Sequence, residues 1–239
     1  MRPLDSKQYD GVATLVLDLM PGHTTYVEPY FAEGEILFNK PIGQCEVIND
    51  PDDAIINFYM TVKTRWNELS FLMQSTLNSE SLSVLADNIH SDEIKSNELY
   101  HAWACWFRYN RDRVYRDAWL RDTTSWLNGY QSINATGRAL DIAVSKRLEN
   151  VSILNRHATD VFFGYDSPDT LFYVHPTDYR QIAEIIPIFP MLKGYIIFYY
   201  PDKRVGERVC ETCHLHKNTD KAGNTVYTNF QKQKTLFDL

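Results

Sequence analysis

The segment Tyr26–Phe38 constrains the fold more than any other part of the chain. It opens with a short run of β-favouring residues that ends at Glu28-Pro29, passes through a turn of small residues around Gly34, and enters an apolar helical pattern. This order predicts a strand, a turn and a helix. Backbone N–H groups gather where a strand leads into a helix, and in α/β sheets such turns bind cofactors where the strand order reverses.

A second segment, Leu171–Tyr179, repeats this arrangement late in the chain. His175-Pro176 breaks its buried strand, and a helix is predicted from Tyr179. One α/β domain is therefore expected. The remaining patterns predict strands at 24–29, 44–49, 150–155 and 194–200, helices at 5–20, 32–40, from 52 and at 179–186, and a closing hairpin with its turn at 220–224.

The stretch 68–148 differs because its pattern is helical and poor in β runs. Aromatic residues and arginines are interleaved in its second half, which suits phosphate contact and base stacking. The arginines that are candidates for nucleic-acid contact are Arg108, Arg111, Arg113 and Arg116. The aromatic residues have a second interpretation, because one helical face, typical of a core, carries Trp103, Trp106, Phe107 and Asn110.

The net charge of −7 excludes a uniformly basic DNA-binding surface, so contact with phosphates requires a local basic patch on an acidic body. No apolar run approaches the roughly 18 residues that span a bilayer. Asp10 and Asp18 interrupt any signal-peptide core, so a cytoplasmic location without a membrane partner is expected.

The four cysteines are too few and too scattered for a secreted disulfide scaffold. Cys210-Glu-Thr-Cys213-His214 contains the pattern of haem attachment and also half of a zinc site. Haem attachment needs an exported protein, and structural zinc needs more ligands at better spacing. The preferred interpretation is a turn with free thiols and no metal, with zinc as the alternative.

Two motifs carry a family resemblance. Glu28-Pro29 with Ala32 and Gly34 resembles a Glu/Asp-Pro-Phe-x-Gly-x-Gly turn, and His175-Pro176-Thr177-Asp178 stands where an Asp-Pro-Pro-Tyr turn is expected. The chain resembles the Dam-like adenine-specific DNA amino-methyltransferases, which bacteria and phages use to mark DNA. The resemblance implies a Rossmann-like methyltransferase sheet, mixed and mostly parallel, formed by 1–67 and 149–239. It also implies that 68–148 is a helical target-recognition insert.

The resemblance implies S-adenosylmethionine as cofactor, with Glu28, Ala32, Gly34, Asp50 and Asp160 around it. Asp50 ends the second predicted strand, where a carboxylate commonly accepts hydrogen bonds from ribose hydroxyls. It is equally a candidate N-cap for the following helix. Asp160 stands where the family has an Asp that bonds the adenine ring, and its alternative role is to cap a turn.

The resemblance also implies DNA as substrate, with His175, Pro176 and Tyr179 around a flipped adenine. In the family, the Asp and the next carbonyl accept the hydrogens of the exocyclic amine, and the Tyr ring stacks on the base. A neutral imidazole keeps one acceptor nitrogen, but Asp178 replaces the stacking ring. Methyl transfer is therefore expected to be impaired or absent. The alternative is a catalytically dead module that binds nucleic acid, a partner protein or a second copy of itself.

Overall fold

The structure is a computed structural model that describes residues 10–76, 80–91, 97–118 and 142–231, with only the backbone described at 10, 80 and 111–118. These residues fall into two compact units. The helical unit lies within Asp52–Ile153, and the sheet unit lies within Lys7–Pro51 and Leu154–Leu239. In chain order the elements are α1 (Asp10–Leu19), β1 (Thr25–Glu28), α2 (Glu35–Asn39), β2 (Cys45–Asn49), α3 (Asp53–Thr64), α4 (Trp66–Ser75), α5 (Glu80–Ser91), α6 (Glu98–Ala118), α7 (Ala143–Leu148), β3 (Val151–Leu154), α8 (Ala158–Tyr165), β4 (Thr170–Val174), α9 (Tyr179–Ile185), a 3₁₀ helix (Phe189–Met191), β5 (Tyr195–Phe198), α10 (Lys203–Thr212), β6 (His216–Thr219) and β7 (Thr225–Thr228).

The seven strands form a mixed, mostly parallel sheet in the order β3-β2-β1-β4-β5-β7-β6. β1 pairs in parallel with β2 on one side and β4 on the other, and β4 pairs in parallel with β5. Only β7, among the pairings described, runs antiparallel to its neighbours β5 and β6. The strand order reverses between β1 and β4, so the carboxyl ends of these two strands lie side by side.

Both faces of the central strands are covered, which explains why the strand sequences are apolar throughout. All five residues of β4 are buried. Side chains alternate along a strand, so Val27 and Phe172 point to one face, where they join a core cluster with Phe162 of α8 and Ile185 of α9. Tyr26 and Tyr173 point to the opposite face and are also buried. The predicted α/β class is confirmed by the seven-stranded sheet and its covering helices.

The helical unit contains α3 to α7 and has its own aromatic core. Trp103 and Trp106 of α6 are buried, and the Trp103 indole donates a hydrogen bond of 2.7 Å to the Thr76 hydroxyl. Phe107 and Asn110 are buried on the same helix. The interpretation of this face as core is confirmed. The unit begins at Asp52, earlier than the predicted insert at 68, and it therefore includes α3.

The strands predicted at 24–29, 44–49, 150–155 and 194–200 agree with β1, β2, β3 and β5, which are one to three residues shorter, and the predicted 220–224 turn joins β6 to β7. The helix predicted at 32–40 begins only at Glu35, because Ala32 and Gly34 adopt positive φ angles of 44° and 69° that an α-helix excludes. Residues 5–9 of the first predicted helix and the Gly- and Ser-rich segment 129–137 lie outside the described residues.

Candidate functional site

The turn after β1 holds a non-glycine residue in the left-handed region. Ala32 has a φ of 44°, a conformation that costs an L residue roughly 1–2 kcal/mol. Its backbone N–H donates a hydrogen bond of 2.9 Å to Oδ2 of Asp50, which follows the neighbouring strand β2. Strain of this kind persists where surrounding contacts hold it, and it is concentrated at ligand sites. Ala32 thus holds a backbone conformation that favours glycine.

Local packing explains why position 34 is a glycine. Its φ of 69° favours glycine, and an added Cβ would lie 2.4 Å from Cζ of Phe31 and 2.8 Å from Cε2 of Phe38. The rings of these two phenylalanines lie 6.1 Å apart, centroid to centroid. The absence of a side chain at Gly34 therefore serves packing against two aromatic rings.

Asn49, which the sequence reasoning missed, ties together two loops at this edge. Its Nδ2 donates to the carbonyl oxygens of Pro29 at 2.9 Å and Arg156 at 3.1 Å, and its Oδ1 accepts from the Arg156 N–H at 2.8 Å. Asn49 is fully buried. Asparagine directly after the apolar pair Val47-Ile48 at the end of β2 was the available signal, because a buried amide requires partners.

Glu28 lies beneath the turn and is 1 % exposed. Its Oε1 accepts hydrogen bonds from the Tyr26 hydroxyl at 2.7 Å and from the Leu37 N–H of α2 at 3.0 Å. Burial raises the pKa of Glu28 to about 8, although both hydrogen bonds act in the opposite direction. In these contacts Glu28 fixes the first turn of α2 against β1.

The turn after β4 begins with His175, whose ring is partly buried between two tyrosines. Its centroid lies 5.0 Å from that of Tyr199 and 6.3 Å from that of Tyr173. The Tyr199 N–H donates to the Val174 carbonyl at 3.0 Å, which brings the ends of β4 and β5 together. Burial lowers the pKa of His175 to about 4, so the imidazole is neutral at pH 7. Pro176 follows and is buried.

Asp178 caps α9. Its carboxylate accepts hydrogen bonds from the backbone N–H of Arg180 at 2.9 Å and from the Arg180 guanidinium at 2.6 Å. Gln181 Oε1 accepts from the backbone N–H groups of Thr177 and Asp178, which completes a capping box. These bonds to Arg180 lower the pKa of Asp178. Tyr179 is the first residue of α9 and is 57 % exposed.

The N-cap interpretation of Asp50 is wrong, because Asp52 occupies that position. Asp52 accepts a hydrogen bond of 2.9 Å from the Ala54 N–H at the start of α3. Asp50 instead accepts from Ala32 in the adjacent turn, as described above. Asp160 lies exposed in the first turn of α8, where His157 is the N-cap, so the capping alternative for Asp160 is also wrong.

Of the four arginines in the predicted basic patch, the structure describes only the side chain of Arg108. Arg108 Nε lies 2.9 Å from Oδ1 of Asp87, so the guanidinium is paired with α5. Arg111, Arg113 and Arg116 belong to α6, but their side chains lie outside the described residues.

The two cysteine thiols of the Cys-x-x-Cys pattern contact backbone carbonyls. Cys210 Sγ lies 3.0 Å from the Leu215 oxygen, and Cys213 Sγ lies 3.6 Å from the Ile186 oxygen. Burial raises the pKa of both thiols. In the described part of the chain, no three His, Cys, Asp or Glu side chains are close enough to hold a metal ion.

The turns after β2, β1 and β4 therefore leave neighbouring strands at one edge of the sheet. Among the predicted residues in these turns are Ala32, Asp50 and His175. This edge offers a carboxylate, a strained backbone turn and a neutral imidazole. Across the described ranges, no helix is both long and apolar enough to cross a membrane. No protein-family model matches the sequence, and no curated protein matches it either.

Proposed function

We propose that this protein binds S-adenosylmethionine at the carboxyl edge of β1 and β4. We further propose that it is a Dam-like adenine-specific DNA amino-methyltransferase whose methyl transfer is impaired. One observation carries the proposal: the turns after β1 and β4 leave neighbouring parallel strands at the point where the strand order reverses. Ligands of open α/β sheets bind outside the carboxyl ends of the strands at this point. The antiparallel β7 agrees with the mixed, mostly parallel sheet that the resemblance implies.

The residues on the cofactor side fit a nucleoside ligand. Asp50 is 7 % exposed and ends β2, where a carboxylate suits ribose hydroxyls. Ala32 adopts the left-handed backbone conformation that a glycine would adopt without strain. Asn49 holds this turn through its hydrogen bond to the Pro29 carbonyl. Asp160 lies in the first turn of α8, four residues after Arg156, which Asn49 holds. When bound, the cofactor supplies an electrophilic methyl group on a sulfonium.

On the substrate side, the chain must localise the lone pair of an exocyclic amine. A neutral His175 presents one acceptor nitrogen to an amine hydrogen, and the Pro176 carbonyl is a candidate acceptor for the second. Two acceptors on one amine favour a tetrahedral nitrogen with an available lone pair. His175 is neutral above about pH 5, so this function requires no further ionisation at pH 7.

A second candidate function is a catalytically dead module that retains the fold and binds nucleic acid or a protein. Asp178 favours it, because the residue at the position of the stacking Tyr is engaged in capping α9. Tyr179 follows one residue later as part of that helix. The substrate side of the edge therefore carries a helix cap where the resembled motif has a ring.

Calorimetric titration with S-adenosylmethionine tests the cofactor proposal. We expect saturable heat for the natural protein and about tenfold weaker binding for Asp50→Asn, because a charge-assisted hydrogen bond is replaced by a neutral one. Asp52→Asn is the matched control: it lies two residues away, keeps its helix cap and leaves the affinity unchanged. Absence of heat at millimolar cofactor would overturn the proposal.

Transfer of a labelled methyl group to adenine-containing DNA separates the two candidates. Slow incorporation supports an impaired enzyme, and cofactor binding without incorporation supports the dead module. A triple variant, His175→Asp with Thr177→Pro and Asp178→Tyr, restores the Asp-Pro-Pro-Tyr pattern. Increased incorporation in this variant would locate the impairment in the turn after β4, whereas no increase would locate it elsewhere.

A further inference from the structure

Two aromatic rings lie next to each other where β4 and β5 end. The strands run parallel with Val174 opposite Phe198, so His175 and Tyr199 are the first residues beyond them. Their ring centroids lie 5.0 Å apart, and the ring planes are inclined at 56°. Both residues are only partly buried. The pair therefore keeps exposed surface at the carboxyl edge of the sheet, where ligands of open α/β sheets bind.

The backbone that carries the Tyr199 ring is held on both sides. The Tyr199 N–H donates to the Val174 carbonyl at 3.0 Å, which continues the ladder between β4 and β5 by one residue. Three residues later, Asp202 accepts a hydrogen bond of 2.9 Å from the Arg204 N–H and caps α10. A ligand that stacks on the ring therefore does not need to order this part of the chain.

The inclination of the two rings suits a planar base. Rings at 56° form a corner rather than a stack, so a planar ligand that lies flat on Tyr199 presents its edge to His175. Flat contact with an aromatic ring suits any nucleobase, because every base has a π face. Edge contact suits a base with an amino group, because burial lowers the pKa of His175 and a neutral imidazole includes an acceptor nitrogen.

This ring reaches the edge from a different strand than the ring of the resembled motif. The motif has its stacking Tyr at the position of Asp178, and here the Asp178 carboxylate accepts a hydrogen bond of 2.9 Å from the Arg180 N–H as the cap of α9. Tyr199 follows β5 and takes no part in that cap. A base can therefore be stacked at this edge although position 178 serves the helix.

We propose that Tyr199 stacks on the unpaired adenine of the substrate, with the amino edge of the base directed toward His175. The inference rests on the proposed function and deepens it by assigning the base-binding ring to the end of β5. Tyr199 is a substrate-binding residue in this role. Because stacking does not depend on the Asp-Pro-Pro-Tyr pattern, the base is held even where methyl transfer is slow or absent.

The test uses 2-aminopurine 2′-deoxyriboside, a fluorescent base that is quenched when it stacks. It is titrated in the presence of S-adenosylmethionine, which occupies the cofactor side. We expect saturable quenching by the natural protein and by Tyr199→Phe, and about tenfold weaker binding by Tyr199→Leu, which loses the ring. Tyr195→Leu is the matched control, because Tyr195 is also partly buried and contacts the Phe230 ring at 5.3 Å, but at the other end of β5. Its affinity is expected to equal that of the natural protein.

A second measurement does not depend on the folding of a leucine variant. In protein that carries 3-fluorotyrosine, the ¹⁹F resonances of Tyr199 and Tyr195 are identified by their loss in Tyr199→Phe and Tyr195→Phe. Addition of 2′-deoxyadenosine together with S-adenosylmethionine is expected to shift the Tyr199 resonance and to leave the Tyr195 resonance in place.

The outcomes separate the two claims. Quenching that survives Tyr199→Leu, equal weakening by Tyr199→Leu and Tyr195→Leu, or an unmoved Tyr199 resonance overturns the inference. Calorimetry with S-adenosylmethionine on the same samples tests the proposed function. Cofactor heat without an effect of Tyr199 overturns the inference alone, and an effect of Tyr199 without cofactor heat overturns the proposed function alone. Absence of both overturns both.

Discussion

The turns after β1 and after β4 lie at the same edge of the sheet but are stabilised in different ways. The first turn depends on residues distant in sequence: Asp50 and Asn49 of the next strand and Arg156 beyond β3. The second depends on immediate neighbours, because Asp178 is paired with Arg180 and Gln181. The first turn also stores strain at Ala32, whereas the second has the regular geometry of a helix cap.

Under the proposed function, this difference separates the turn that would hold a ligand from the turn that serves a helix. Strain held by long-range contacts has no local benefit and is typical of ligand sites. A capping box stabilises its own helix and needs no ligand to explain it. We therefore expect the cofactor side to retain binding, and the substrate side to have exchanged a catalytic turn for a structural one.

The largest effect is expected from Asn49→Leu, which removes the hydrogen bonds that join the first turn to the loop after β3. The variant leaves the Pro29 carbonyl without its partner in a buried region and the Arg156 N–H and carbonyl without theirs in a partly buried one. We therefore expect a loss of about 3 kcal/mol in the free energy of unfolding. Urea denaturation measures it. Asn155→Leu is the control: it removes bonds of 2.8 Å to the Asp50 carbonyl and 3.4 Å to the Pro51 carbonyl from an exposed residue, and it should cost about 1 kcal/mol. Equal losses in the two variants would contradict the long-range description.

Glu28→Gln tests the buried carboxyl group beneath the first turn. The pKa of Glu28 is about 8 in the folded state against an ordinary value of 4.5, so the folded state binds more protons between these pH values. The contribution of Glu28 to stability is therefore full below about pH 4.5 and is lost as the pH rises through 8. The glutamine variant does not titrate, and at pH 9 it should be more stable than the natural protein by about 2 kcal/mol. Parallel melting curves at pH 5 and pH 9 check this, and a pH-independent difference would refute it.

Asp178→Ala tests the second turn. Loss of the N-cap should cost about 1 kcal/mol, with no effect on binding of S-adenosylmethionine. Arg180→Ala removes only the exposed ion pair and should cost less than about 0.5 kcal/mol. Denaturation and calorimetry on the same samples provide both readouts. Weaker cofactor binding in Asp178→Ala would show that the two turns are not independent.

The smallest effect is expected from Ala32→Gly. Glycine relieves the positive φ but adds entropy to the unfolded chain, so we expect a net stabilisation of about 0.5 kcal/mol. Ala13→Gly in the regular helix α1 should instead destabilise by about 1 kcal/mol. The opposite signs, measured by thermal denaturation, distinguish a strained position from a helical one. Destabilisation in both would remove the argument that Ala32 is strained.

The strands and the starts of α3 and α9 were predictable because they follow local periodicity, whereas α8 and α10 were not predicted. The alternation and apolarity of β4 and β5, and the turn at Gly223, depend on residues within a few positions of one another. The Asp178 capping box also has a local pattern, Asp followed three residues later by Gln, but the resemblance assigns that position to an Asp-Pro-Pro-Tyr turn and so did not predict the cap. The core face of α6 was similarly readable from helical spacing.

The roles of single polar residues were not predictable in this way. Asp50 and Asp52 are equally good N-caps by residue type, and only the structure assigns the cap to Asp52 and gives Asp50 to the Ala32 N–H. Asn49 carries no motif at all. Its importance comes from which chain segments surround it after folding.

The sequence by itself determined the α/β class, the positions of the strands and the two turns, because the side-chain period of each element is a local property. Only the tertiary structure decided that both turns share one edge and that Asn49 ties the first turn to the loop after β3. Burial in the folded chain also raises the pKa of Glu28 and lowers that of His175. The physical reason is that strand order, burial and hydrogen bonds across 18 to 107 residues depend on how the chain returns to itself.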